Sequence, residues 1–356
     1  MPESSRQNNQ SFADETTEES DTPSGKAGTL SSDTTSLRSC IWDYQYENGR
    51  RYNAYRYGSY WCPNDEQQAE QLDICHHLCN LTLDGQLFLA PIGDKPQRVL
   101  DVGTGTGLWA MAFADAFPNA EVIGTDLSPI QPCAVPPNLR FEIDDCTQPW
   151  TFAPESLDYI HVRCLYGSVA DWPAFYAECF KYAASPPLIH RGFARFPLTA
   201  RHRALKPNGL LEQLEVSVAP ACEDGTLAPS SALATWGPLL LSAGDAAGKS
   251  LRTIDEMRSS MTAAGFGDAV ERRWKWPIGG WVREPRLREW GVWNRLQWET
   301  GIEGWCLFLL TRWLGWKKEE VRVLLRRVRR GLRDGSVHAY QDVAVVYARK
   351  PGRLAN

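Results

Sequence analysis

The sequence predicts an α/β fold in which a mostly parallel seven-stranded sheet carries helices on both faces and an added helical cap. Three observations predict it. From Arg98 onward, short apolar runs alternate with amphipathic segments. The first strand-to-helix junction carries a glycine cluster. The second half holds most of the fifteen tryptophans, in stretches with helical spacing.

Taken in chain order, residues 1–36 are rich in Ser, Thr, Glu and Asp, with seven acidic and two basic side chains and Phe12 as the lone aromatic. Such a segment buries too little apolar surface to offset its ordering entropy, and disorder is expected. The 356-residue chain has a net charge of −5, so the tail accounts for it and the remainder is balanced. A balanced domain exerts no long-range pull on nucleic acid or an anionic membrane, and no nucleic-acid partner is expected. Residues 37–97 form an aromatic and helical extension. Six tyrosines fall between Ile41 and Glu66, and Asn64-Asp65-Glu66 starts a helix over about 65–83. Residues 98–350 carry the main domain. Its strands are expected at 98–103, 121–126, 139–145, 157–163, 209–217, 269–277 and 337–350. Helices fit near 107–117 and 172–181, with a helical insertion over about 230–335. Its last helix, near 317–332, is basic, with Val321, Leu324, Leu325, Val328 and Leu332 on one stripe.

No secretory signal begins the chain, and the longest apolar run, Trp305 to Trp316, is broken by Arg312. The ten cysteines are scattered, as free thiols in a reducing compartment. The expectation is an intracellular protein, cytoplasmic or nuclear, with no membrane partner. Asp73, Cys75, His76, His77 and Cys79 crowd one helix, but Cys75 and Cys79 supply at most half a zinc site, so core packing is expected and no metal.

The motif with most chemistry in it is DVGTGTG, Asp101 to Gly107. Gly103 and Gly105 let the backbone turn sharply and approach a ligand closely, with Thr104 between them. The helix that begins after Gly107 offers free N–H groups. A dinucleotide fingerprint reads GxGxxG; here the spacing is GxGxG with Asp101 two residues before it. That is the spacing of an S-adenosyl-L-methionine loop, and Asp101 suits a cofactor that bears an ammonium group. Asp126, followed by Leu127, ends the second strand, where an acid takes both ribose hydroxyls. Asp144, Asp145 and Cys146 end the third, where a carboxylate accepts the adenine amino group and backbone N–H groups meet the ring. All three acidic positions fall at the carboxyl ends of strands, where open α/β sheets bind ligands.

The segments NGRRYNAYRYGSYWCPNDE, RVLDVGTGTGLWA, EVIGTDLSPIQP, VPPNLRFEIDD, LDYIHVR, GSVADWPAFY, LKPNGLLEQLE and HAYQDVAVVYARKP resemble the fungal LaeA-like class I (Rossmann-like) methyltransferases. The resemblance runs from Glu47 to Pro351. It implies S-adenosyl-L-methionine as cofactor. It also implies one of two roles: a tailoring enzyme acting on a small-molecule intermediate of fungal secondary metabolism, or a nuclear regulator of secondary-metabolite genes with velvet-type partners. The acceptor should lie near the end of strand four, with His161 as a base if a proton must leave. Arg163 either pairs with Glu212 or holds an acidic substrate. Tyr52, Tyr55, Tyr57 and Tyr60 are expected as a lid, with Tyr57 on the cofactor. The Trp cluster, including Trp298 and Trp305, serves as core or lines a pocket for a flat apolar acceptor. No Asn-Pro-Pro-Tyr or Asp-Pro-Pro-Tyr follows strand four, which counts against adenine or glutamine N-methylation.

Residues 182–203 interrupt this pattern. Without them, FYAECFK runs directly into ALKPNGLLEQLE as helix, turn and strand. A structureless loop of 22 residues inside a compact domain is unusual. The segment corresponds to 66 in-frame nucleotides, and the expectation is a translated, unspliced intron, with an inserted surface loop as the rival.

Overall fold

The computed structural model describes residues 41–180 and 205–352. The acidic tail and the 182–203 segment lie outside the described residues. Strands β1 (Gln45–Glu47) and β2 (Arg50–Tyr52) form an antiparallel hairpin. Its turn is Asn48-Gly49, both at positive φ (56° and 84°), as a tight two-residue hairpin requires. Helix α1 (Glu66–Thr82) follows. Its cap, Asp65, accepts the Gln68 N–H at 3.1 Å and also takes Arg50 bidentately at 2.5 and 2.7 Å, which fastens the hairpin to the helix start.

The central sheet comprises β3 (Arg98–Val102), β4 (Glu121–Asp126), β5 (Leu139–Ile143), β6 (Leu157–Arg163), β7 (Leu205–Val216), β8 (Gly267–Pro277) and β9 (Tyr340–Arg349). They lie in the order β5-β4-β3-β6-β7-β9-β8. The first five are mutually parallel, and β9 runs antiparallel between β7 and β8. The order in which successive strands are added reverses between the parallel neighbours β3 and β6, so the carboxyl ends of β3, β4, β5 and β6 frame a crevice.

Strand alternation assigns the two faces. Leu100, Val102, Ile160 and Val162 pack under α3 (Trp172–Phe180) and α5 (Thr253–Ala263). Val99 and Tyr159 pack on the opposite face against Trp109 and Phe113 of α2 (Leu108–Ala116). Beyond them, Cys75, Leu78 and Cys79 of α1 meet Leu214, Val343 and Trp290. The cap comprises α4 (Ala232–Ala246), α6 (Pro285–Trp313) and α7 (Lys318–Arg333). Helix α6 starts on Pro285, with Glu284 accepting the N–H groups of Arg286 and Leu287 at 3.1 and 2.6 Å. In α7 the stripe Val321, Leu325, Val328 and Leu332 is buried in the cap core, which leaves its arginines outward. Among the described residues, no helix is long and apolar enough to cross a membrane.

Candidate active site

The glycine loop leaves β3 and enters α2 with Gly103, Gly105 and Gly107 all at positive φ. Gly107 caps α2 in the left-handed conformation at φ 83°, and a Cβ there would lie 2.4 Å from the Phe141 ring. Glycine is thus required by both backbone and space. The loop is pinned by its neighbour strand. Thr104 N–H donates to the Thr125 carbonyl at 2.9 Å, and Gly105 N–H donates to Asp126 Oδ2 at 2.9 Å. The other Asp126 oxygen accepts from Ser128 N–H at 2.9 Å. Burial pushes the Asp126 pKa up to about 6, against the pull of these amides.

A cavity of about 530 Å³ opens over the strand ends. Gly103, Gly105, Asp126, Leu127, Asp144, Asp145 and Cys146 line it, so these predicted residues converge. Asp145 accepts the Thr147 N–H and hydroxyl at 3.0 and 2.6 Å, and the Arg56 guanidinium lies 3.6 Å from its other oxygen. Burial raises the pKa of Asp144, whose side chain accepts the Asp145 N–H at 2.9 Å.

Five predicted residues stand elsewhere. Thr104 donates its hydroxyl to Asp101 Oδ2 at 2.6 Å and lies behind the cavity wall; Gly107 is spent on the helix cap. Asp101 is 3% exposed, and its second oxygen is 2.7 Å from His161 Nδ1. Its carboxylate therefore braces the loop from beneath and is not among the residues that line the cavity. His161 is not on the cavity either: it is 2% exposed and stacks on Trp109 with ring centroids 3.7 Å apart. Burial lowers its pKa against the pull of Asp101, so it is a buried positioning group rather than a base open to an acceptor. Tyr57 donates its hydroxyl to Glu47 at the surface, and the tyrosine that reaches the cavity is Tyr60.

Residues 53–64 cover the cavity, with Arg56, Ser59, Tyr60, Pro63 and Asn64 in its wall. Asn64 Nδ2 donates to Ser128 Oγ at 3.1 Å, Trp61 Nε1 donates to the Tyr166 carbonyl at 3.2 Å, and Lys249 Nζ donates to the Ser59 carbonyl. Lys249 also lines the cavity, and burial lowers its pKa although Asp145 pulls it up. Nothing local in the sequence signals Lys249, which arrives from the turn after α4.

The expected Arg163–Glu212 pair is absent. Glu212 accepts the backbone N–H groups of Leu89 and Ala90 at 2.9 and 2.6 Å, while Arg163 reaches the cavity and donates to His76. The tryptophans divide between two roles. Trp274, Trp276, Trp290 and Trp293 pack around Cys75 and Leu78. Trp298 and Trp305 join Trp61, Trp236 and Tyr166 around a smaller cavity of about 40 Å³. That cavity shares Tyr60, Leu72 and Cys164 with the large one, and no charged side chain lines it among the described residues.

The chain is similar to known methyltransferases. The methyltransferase-domain family profile matches residues 74–268. The chain is 37% identical over 318 residues to the methyltransferase pytC of Aspergillus terreus, covering 89% of this chain and 91% of the relative. It is 36% identical over 311 residues to the secondary metabolism regulator LAE1 of Cochliobolus heterostrophus, covering 86% and 94%. Among solved structures, the phosphoethanolamine N-methyltransferase 2 of Haemonchus contortus bound to S-adenosyl-L-methionine matches at 16% identity and TM-score 0.46, over 89% of this chain and 73% of that one.

Proposed function

The chain belongs to the LaeA-like branch of the S-adenosyl-L-methionine-dependent methyltransferases, and from that premise we propose that it methylates a flat, uncharged intermediate of fungal secondary metabolism. The observation that carries the acceptor class is the wall the two cavities share, Tyr60, Leu72 and Cys164: behind it the smaller cavity, about 40 Å³ and too small for a ring, is lined by aromatics and glutamines with no charged side chain among the described residues. Rings favour a planar apolar guest by stacked or edge contact, and an uncharged wall leaves an ionic group unpaired.

The large cavity fits the cofactor on three counts. Positive-φ glycines bring backbone close to the space, Asp126 offers a buried carboxylate at a strand end, and Asp144, Asp145 and Cys146 close the far side. Bound there, the cofactor supplies an electrophilic methyl group on a sulfonium. The chain's own contribution is proximity and exclusion of water. Asp126 and the glycine loop orient one partner, the uncharged wall at Tyr60, Leu72 and Cys164 faces the other, and residues 53–64 cover both. Burial holds the Tyr60 phenol protonated, so it serves as wall and hydrogen-bond donor and not as a base.

The test is transfer of a labelled methyl group from S-adenosyl-L-methionine into a metabolite extract from a strain lacking the gene. Label in a neutral aromatic metabolite is expected. Label confined to protein would contradict the acceptor class. Relatives named as secondary metabolism regulators favour a second reading, in which the chain controls metabolite genes through velvet-type protein partners. Unchanged gene regulation by an Asp126→Ala variant that no longer binds cofactor would favour it. The 182–203 segment, we propose further, is an unspliced intron: α3 ends at Phe180 and β7 begins at Leu205, and the joined sequence reads as helix, turn and strand. Transcripts lacking those codons are expected. Mature messages that all retain them would refute the idea.

A further inference from the structure

Arg163 is the last residue of β6 and lines the large cavity, as do Gly103 and Cys164. It points to the same sheet face as His161, two residues earlier, and so lies under α1. There Arg163 Nη2 donates to His76 Nδ1 at 2.9 Å. Burial and the adjacent guanidinium push the His76 pKa down to about 3, so this partner is a neutral imidazole. The other ring nitrogen of His76 is 2.9 Å from the Asn80 side-chain amide, which fixes the ring. The Asp101 carboxylate acts on Arg163 through space, but its two oxygens are taken by His161 and the Thr104 hydroxyl. Glu212, on the other adjacent strand, is committed to the Leu89 and Ala90 amides. A largely enclosed guanidinium whose nearby carboxylate bonds to other groups leaves N–H capacity that a ligand anion would complete.

We infer that Arg163 binds the α-carboxylate at the methionine end of the cofactor. The inference rests on the cofactor reading above. Position favours the cofactor over an acidic acceptor. Val162 pairs with Val102, the residue immediately before Gly103, so the guanidinium and the glycine loop share one wall. The smaller cavity, on the acceptor side, does not include Arg163. His76 and the Cys79 thiol take part of the planar fork, and an arginine's five N–H donors leave others for a carboxylate.

The experiment is calorimetric titration of the full chain with S-adenosyl-L-methionine and with its decarboxylated analogue, which keeps the adenosine, sulfonium and amine. The wild type should prefer the complete cofactor by about ten- to a hundredfold, the worth of one charge-assisted hydrogen bond. Arg163→Gln should bind the two alike, and Arg163→Lys should regain part of the preference. The wild-type comparison needs no substitution, so a variant that folds poorly does not remove the test. Equal affinity of the wild type for both ligands, or an undiminished preference in Arg163→Gln, would overturn the assignment, including in favour of an acceptor carboxylate. A wild type that binds neither would overturn the cofactor reading itself, and the assignment with it.

Discussion

Glu215 is a fully buried carboxyl on β7, 0% exposed, behind the turn that carries Cys164 and Leu165 into the cavity wall. Its Oε1 accepts from Leu165 N–H at 3.1 Å and from Gln213 Nε2 at 2.7 Å, and Gln213 in turn accepts the Tyr176 hydroxyl at 2.7 Å. Burial pushes the Glu215 pKa up to about 8, against these donors. The folded state therefore holds a proton that the unfolded chain releases near pH 4.5. Stability from this group is complete below that value and is lost as pH rises toward 8. The slope is about 1.4 kcal/mol per pH unit, or about 2 kcal/mol between pH 5.5 and 7. Glutamine at this position keeps an oxygen for Leu165 and Gln213 but cannot ionise. Urea unfolding of the wild type and Glu215→Gln at pH 5.5, 7 and 8 checks this. The wild type should lose about 2 kcal/mol more than the variant between the first two. Parallel stability curves would refute a raised carboxyl here.

Other expectations follow from the same geometry. Glu212, raised by burial to about 7, should make Glu212→Gln flatten the same pH profile below pH 7, with the sign unchanged, in the same urea series. Gly107→Ala should destabilise by about 1–2 kcal/mol from the left-handed backbone, and by more from the overlap with Phe141; retained melting temperature would show that the loop relaxes freely. Amide exchange across residues 53–64 should slow when cofactor is present, because that segment covers the cavity through Asn64, Trp61 and Ser59. Unaltered exchange would assign those residues to packing alone.

Much of this site is legible in the sequence because its signals are local. A strand ending in DVGTGTG before a helix requires a tight loop, and acids at the ends of the next two strands fall on the same edge whatever the side-chain detail. What the sequence does not place depends on partners distant in sequence. Asp101 looks like a ligand-facing acid until His161, 60 residues later and opposite it on β6, takes one of its oxygens. Tyr57 and Tyr60 are indistinguishable by spacing. The turns on either side of Tyr57, with Arg56 and Gly58 at positive φ, send it to Glu47 and Tyr60 to the cavity. The tryptophans carry no mark that separates Trp298 from Trp290; only the packing of α4 against α6 puts one on a cavity and the other against Leu78. Lys249 has no periodic or motif context at all.

Titration calorimetry of the wild type and Asp126→Ala with S-adenosyl-L-methionine at pH 7.5 bears most directly on the cofactor site. At that pH the Asp126 carboxyl, with its pKa near 6, is ionised and able to accept the ribose hydroxyls. Loss of those bonds should weaken binding by about ten- to a hundredfold. Wild-type binding with an unchanged constant in the variant would contradict the placement of the cofactor over the ends of β3, β4 and β5.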